Sequence, residues 1–396
     1  MNERAVCVID LDALAANLSA LRRALAPGVR ICAVVKADAY GHGAAICART
    51  LAANGVDWLA TASLEEARVV RSTGVATPLL VLGGIEPSRG AVEEACQLDV
   101  VPALLDAGET AALATVVPAG RRLRVHLKID TGMSRAGLTP AEARDLVPLL
   151  RDGPFELHGI YSHLACADAP DPASWRQQLA DFEVARADLA AAGVRPALRH
   201  LANSAGLLAD RALHLDMVRP GLALYGHRPL PGLGAAIHLA PVMEFATWIS
   251  QIRTVPAGTG VGYGWTWRAE RPTRVATLPV GYAQGYTRSL SNRGEVALRG
   301  QRAPVVGNVS MEHTTIDVTD IPEARAGDRV LLWGAGPEAP DVMTLGCAAG
   351  TIGYELLTGV APSVRRVPRG RPDETPDSVM SKGTKERGEV SSDGSR

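Results

Sequence analysis

Ile31-Cys32-Ala33-Val34-Val35-Lys36-Ala37-Asp38-Ala39-Tyr40-Gly41-His42-Gly43 is an apolar run that ends in a lysine, a tyrosine and two glycines. The continuous apolar residues 31–35, followed by turn formers, suit a strand buried on both faces. A barrel interior has no place for an ammonium group, so Lys36 is expected at the carboxyl end of this strand. In a β/α barrel that end carries the chemistry. A lysine desolvated there has a lowered pKa, and its neutral amine can condense with an aldehyde to form a Schiff base. Gly41 and Gly43 let the chain turn closely into a helix. The same local pattern also fits a strand-end lysine paired with a carboxylate, so the remaining chain has to decide.

At 396 residues and 47% hydrophobic content, the chain has the material for two domains and a tail. Its 41 Lys and Arg balance 42 Asp and Glu, which leaves no basic stripe for nucleic acid. Neither a basic-then-apolar leader nor a bilayer-length apolar stretch is present, so a cytoplasmic protein without a membrane partner is expected. Cys7, Cys32, Cys47, Cys96, Cys166 and Cys347 are scattered without a Cys-x-x-Cys pair, which argues against metal or disulfide roles.

Residues 4–9 read as a short strand, able to pair with the second domain, and Asp10 caps a helix with Leu11, Leu14, Leu18, Leu21 and Leu25 on one face. Apolar runs then alternate with Ala-rich helical stretches. Strands are expected at 31–35, 57–62, 78–82, 98–102, 123–129, 155–162, 198–202 and 214–218, the count for a closed (β/α)8 TIM-type barrel over residues 1–232. No Gly-x-Gly-x-x-Gly turn follows the first of them, which weakens a doubly wound dinucleotide fold. Polar residues fall at the carboxyl ends: Lys36 after the first strand, Lys128, Asp130 and Arg135 at the fifth, His163 at the sixth, Asn203 and Ser204 at the seventh, Arg219 at the eighth. Such a set at one rim is what an active site needs.

After residue 232 the helical runs give way to short β-rich segments separated by Gly and Pro. Strands are expected at 243–255, 273–280, 295–298, 304–309, 314–318 and 329–332, with one helix near 344–357, in a mainly β domain over 233–368. Residues 369–396 are rich in Gly, Pro, Ser and charge, a composition expected to be disordered.

Several ordered motifs resemble the alanine racemase family. They are Val34-Val-Lys-Ala-Asp-Ala-Tyr-Gly-His-Gly43, Leu127-Lys-Ile-Asp-Thr-Gly-Met-Ser-Arg-Ala-Gly137, Tyr161-Ser-His-Leu-Ala165, Leu201-Ala-Asn-Ser-Ala-Gly206, Val218-Arg-Pro-Gly-Leu-Ala-Leu-Tyr-Gly226, Gly262-Tyr-Gly264, Leu278-Pro-Val-Gly-Tyr282 and Val309-Ser-Met-Glu312. The resemblance covers most of residues 4–368. It implies a pyridoxal 5'-phosphate enzyme with a barrel followed by a β domain, working as a homodimer with shared active sites. The implied reaction is interconversion of L-alanine and D-alanine, an isomerisation that supplies cell-wall precursors or a specialised product.

By this resemblance Lys36 carries the cofactor and serves as one acid/base, and Tyr263 of the partner chain is the other. Short hydroxyls and amides after the seventh and eighth strands suit a phosphate, which points to Tyr40, Ser204, Gly221 and Tyr354. Arg135 matches the contact to the cofactor's phenolic oxygen, with Lys128, often carbamylated in the family, beside it. His163 matches a residue packed at the cofactor ring, and Arg219 faces the ring nitrogen. Met311, with Arg135, matches substrate binding through its backbone amide, and Tyr282 lines the entrance. Taken alone, Ser204 also fits a helix cap, and Tyr354 and Tyr263 fit ordinary core or surface aromatics.

Three positions depart from the family pattern: Glu312 and Gln284 where aspartate is frequent, and Gly353 where asparagine is frequent. The longer Glu312 is expected to narrow a small pocket or redirect a hydrogen bond. Racemisation of serine or of several amino acids is therefore the alternative, with a decarboxylase or a non-catalytic protein of cofactor homeostasis more remote.

Overall fold

The structure is a computed structural model that describes residues 4–336 and 338–370. Strand β1 (Ala5–Asp10) turns at once into the helix Leu11–Ala24, where Asp10 Oδ1 accepts the Ala13 amide at 2.9 Å. Leu11, Leu14, Leu18 and Leu21 are buried, as the one-sided leucine spacing requires.

Eight parallel strands follow: β2 (Arg30–Val34), β3 (Trp58–Thr61), β4 (Leu79–Val81), β5 (Val100–Leu104), β6 (Leu123–Lys128), β7 (Phe155–Tyr161), β8 (Leu198–His200) and β9 (Met217–Val218). Their order is β9-β2-β3-β4-β5-β6-β7-β8. No ladder joins β8 to β9. The ring closes there through Asp216 N to Arg199 O at 3.1 Å and Arg219 N to Ala202 O at 2.8 Å. Cys32, Val34, Trp58, Ala60, Leu80, Val101, Leu198 and Met217 pack together as one cluster, so the barrel is a filled core and a ligand must bind at its rim. The strand expected at 214–218 is confined to β9, because a 3-10 turn (Arg211–Leu213) and a left-handed Leu215 (φ 49°) occupy the approach to it.

The described residues after β9 are mainly β. A six-stranded sheet joins β1 to β10 (Met243–Trp248), β15 (Glu295–Leu298), β16 (Gln301–Pro304), β18 (Arg329–Trp333) and β19 (Arg365–Arg369), in the order β16-β15-β18-β10-β1-β19. A second sheet holds β11 (Gln251–Val255), β14 (Thr273–Leu278) and β17 (Thr314–Asp317), and β12 (Gly260–Val261) pairs with β13 (Trp267–Arg268). The single strand expected at 243–255 is thus two. Ile249 N bonds to Asp328 O and Ser250 N to Thr277 O, so the chain changes sheets between them. Of the expected strand 304–309 only Pro304 lies in a ladder, followed by an isolated bridge from Val305 to Ile316. The expected helix 344–357 is divided into Val342–Ala349 and Gly353–Thr358, with Gly350 at φ 74° ending the first. Of the tail expected to be disordered, residues 371–396 lie outside the described residues, while Arg369 ends β19 and pairs with Asp10.

Candidate active site

Lys36 leaves the end of β2 into an unusual turn. Ala37, Asp38, Ala39 and Tyr40 all have φ between 52° and 55°, a left-handed turn of four consecutive non-glycine residues. At about 1–2 kcal/mol per residue, roughly 4–8 kcal/mol is stored here, so surrounding contacts must impose it. Asp38 Oδ1 accepts Ala44 N at 2.7 Å, and His42 Nδ1 donates to Ala39 O at 3.0 Å and Tyr40 O at 2.9 Å. The buried His42 ring stacks on Tyr225 at 4.4 Å. Gly41 is pressed against Leu357, where a Cβ would meet the carbonyl oxygen at 2.2 Å, and Arg366 Nε bonds to Gly41 O. The Gly-His-Gly signature therefore serves the turn as much as the helix after it.

The turn opens onto a cavity of about 730 Å³ at the carboxyl rim, lined by Lys36, Tyr40, Lys128, Arg135, His163, Ser204, Arg219, Gly221 and Tyr354 with Asn203, Ile352 and Glu355. Four cations face one lining carboxylate, so the cavity favours an anionic ligand. Lys36 forms no hydrogen bond or ion pair among the described residues. Burial, reinforced by Arg135 and Arg219, lowers its pKa. Lys128 is pushed down to about 8 by burial and by Arg135 and Arg219, which keeps part of its amine neutral at mildly alkaline pH.

Arg219 is 3% exposed and has no carboxylate partner among the described residues. It donates to His200 Nδ1 at 2.8 Å, Ser162 O at 2.7 Å and Leu201 O at 3.2 Å, and its guanidinium lies 5.1 Å from the Tyr161 ring centre. A buried arginine held by neutral acceptors keeps its full charge. His163, 3.4 Å from Arg219 Nη2 through its Nδ1, is driven down to about 3 by burial and by the surrounding cations, and is therefore neutral. Across the cavity, Ser204 Oγ accepts Gly221 N at 2.9 Å and Ala223 N at 3.1 Å. Asn203 caps the short helix by accepting Gly206 N, so the capping role that fits Ser204 falls to its neighbour. A Cβ on Gly221 would lie 2.2 Å from Tyr40 Oη, so glycine there lets the phenol approach the loop. Tyr354, raised to about 12 by burial, has its ring 6.1 Å from that of Tyr40.

Arg135 rides on a loop gathered by Asp130, whose Oδ1 accepts the amides of Gly132, Met133 and Ser134 at 2.9 to 3.1 Å. Tyr263 and Met311 do not line the cavity of their own chain. They are 73% and 59% exposed on the β-rich region. The three departures are used within the fold. Glu312 Oε2 accepts from Arg4 Nη1 at 2.9 Å, Gln284 Oε1 caps Gly281 N at 3.0 Å, and Gly353 packs where a Cβ would strike Met343 Sδ at 2.4 Å. Glu312 therefore spends its carboxylate on Arg4 and does not line the cavity of its own chain. Sequence reasoning missed His200, although it ends a barrel strand, and Glu66, whose Ser63-x-x-Glu66 spacing reads as ordinary capping.

A filled β/α barrel with an amine-bearing cationic rim, backed by a mainly β region, defines an enzyme of the barrel-plus-β class. Residues 9–229 match the family described as alanine racemase, N-terminal domain, and residues 242–368 match alanine racemase, C-terminal domain. The chain belongs to the alanine racemase family. It is 44% identical over 373 residues to the alanine racemase of Symbiobacterium thermophilum, covering 93% of this chain and 97% of that one. Identity to the Sorangium cellulosum alanine racemase is also 44%, over 91% of this chain and 97% of that one. Among solved structures, alanine racemase from D-cycloserine-producing Streptomyces lavendulae superposes with a TM-score of 0.87 at 37% identity, covering 94% and 98% of the two chains. The biosynthetic alanine racemase of Pseudomonas aeruginosa gives 0.84 at 38% identity, covering 93% and 100%.

Proposed function

We propose that the protein interconverts L-alanine and D-alanine with pyridoxal 5'-phosphate attached through Lys36. The observation that carries this reading is the convergence of Lys36, Tyr40, Arg135, His163, Ser204, Arg219, Gly221 and Tyr354 on one cationic cavity in a chain of this family. These residues fit the cofactor. The glycine at 221 leaves room beside Tyr40 that a Cβ would fill, and Ser204, Tyr40 and Tyr354 supply hydroxyls for a phosphate. His163, neutral beside Arg219, can pack at the ring, Arg219 can donate to the ring nitrogen, and Arg135 can meet the phenolic oxygen.

When bound, the cofactor supplies an electron-withdrawing ring that takes up the electron pair left as the substrate Cα loses its proton. Arg219 would hold that ring by a hydrogen bond, and a guanidinium would do so without surrendering a proton. Lys36 takes or returns the Cα proton on one face. The opposite face needs a second group, which we assign to Tyr263 of a second copy, because Tyr263 and Met311 stand exposed and away from the cavity of their own chain. On this reading residues 1–232 bind the cofactor, and residues 233–368 supply Tyr263 and the Met311 amide to the partner site. The enzyme then works as a cytoplasmic homodimer that supplies D-alanine for the cell wall. No helix among the described residues is long and apolar enough to cross a membrane.

Gln284 and Gly353 are engaged within the fold and Glu312 pairs with Arg4 at the surface, and the relatives are named alanine racemases, so serine or broad specificity is not favoured. A visible spectrum of the purified protein, with Cα proton exchange of L-alanine in deuterated water, tests the proposal. Alanine turning over poorly within a panel of L-amino acids would sink it.

A further inference from the structure

Glu66 lies across the ends of β2 and β3. Its Oε1 accepts the amide of Ala37 at 2.7 Å, and its Oε2 accepts the amide of Ala62 at 2.6 Å. Ala37 is the residue directly after Lys36 and the first of the left-handed turn, so its amide precedes any acceptor within the turn. Asp38, His42 and Arg366 secure the far side of that turn, and Glu66 secures the side next to Lys36. Ser63 caps the helix Leu64–Arg71 by accepting Glu66 N, yet the Glu66 carboxylate does not return to the Ser63 amide as a capping box would. It reaches instead to two barrel loops. Glu66 is also the carboxylate that opposes the effect of Arg135 and Arg219 on Lys36.

We propose that Glu66 is a positioning residue for Lys36: by bridging the Ala37 and Ala62 amides, it fixes the start of the left-handed turn and hence the point from which the lysine enters the cavity. This rests on the reading of Lys36 as the cofactor-bearing residue. The bridge ties the lysine loop to the neighbouring strand end, so the amine is aimed by the barrel itself.

The test uses Glu66→Ala, which removes both acceptors, and Glu66→Asp, which keeps the charge one methylene short. Amide hydrogen exchange on the cofactor-free full-length protein should accelerate at Ala37 and Ala62 by at least about tenfold in Glu66→Ala, with Leu127 in β6 unchanged. In the loaded enzyme kcat should fall by about 100-fold in both variants, with KM within about twofold, as a misplaced reacting group requires. Unchanged exchange at Ala37 would overturn the proposal. So would a lowered melting temperature with kcat intact, or full activity in Glu66→Asp, which would leave only the charge at work. Borohydride reduction followed by peptide mapping separates this from the underlying assignment. Label away from Lys36 would refute the cofactor lysine, while the exchange result at Ala37 would stand.

Discussion

Arg219 donates to Nδ1 of His200 at 2.8 Å, and this one bond sets the protonation of two buried imidazoles. With Nδ1 occupied as an acceptor, His200 carries its proton on Nε2 and donates it to Nδ1 of His126 at 2.9 Å. His126 must then hold its own proton on Nε2, which has no partner among the described residues. Burial keeps both rings well below the usual histidine range, His126 down to about 3. The pair is neutral, and the guanidinium beside it stays uncompensated.

Acid should therefore weaken the fold. His42, His126 and His163 have native pKa values near 3 against 6.5 for an ordinary histidine. Between those limits the unfolded chain binds more protons, so stability is full above pH 6.5 and is lost as the pH falls. Each imidazole contributes about 1.4 kcal/mol per pH unit within the window. Urea midpoints of the cofactor-free protein should drop steeply below pH 6.5, and a flat profile would contradict the neutral assignment.

Exchanging Arg219 for Glu should slow racemisation and divert part of the turnover to transamination, seen as pyruvate. A carboxylic acid can hand a proton to the ring nitrogen, which an arginine does not. An unchanged rate with no pyruvate would remove Arg219 from the ring.

Lys36→Ala should purify without the visible absorption of covalently attached cofactor. In the parent protein, borohydride reduction and peptide mapping should place the label on Lys36. Label on Lys128, the other cavity lysine, would reverse the assignment.

Gly221→Ala places a methyl group 2.2 Å from Tyr40 Oη, closer than any side chain tolerates. Tyr40 or the loop must move, and the loss of one charge-assisted hydrogen bond should weaken pyridoxal phosphate binding by about tenfold or more. Titration of the cofactor-free variant measures this, and an unaltered affinity would place the phosphate elsewhere.

Lys36→Ala and Tyr263→Phe should each be nearly inactive as pure dimers. Remixed one to one, half of the dimers are hybrids, and each hybrid has one intact site, so about a quarter of normal activity should return. No recovery despite proven subunit exchange would mean that Tyr263 does not act across the interface.

Much of the barrel was legible, because β2 and its neighbours are apolar runs of strand length and chemical residues follow them. The left-handed turn was not. Ala37-Asp38-Ala39-Tyr40 carries no glycine, and its conformation is imposed by partners as distant as Leu357 and Arg366. Glu66 was hidden for a related reason, since a Ser-x-x-Glu spacing describes the start of its own helix and says nothing of the loops its carboxylate reaches. Gly350 divides the late helix at a point where apolar periodicity alone would carry it through. Tyr263 and Met311 were legible only as motifs, because nothing in the spacing of one chain tells that they lie exposed and outside its own cavity.

β1 lies between β10 and β19, antiparallel to one and parallel to the other. During synthesis, therefore, β1 waits for both of its neighbours. β10 arrives only after all eight barrel strands, and β19 at the end of the described chain. No ladder joins residues 5–10 to the barrel strands, whereas the six-stranded sheet cannot be completed on a chain that lacks β19. A stop between β18 and β19 thus leaves β1 as an unpaired edge of a five-stranded sheet, beside a barrel that already contains Lys36.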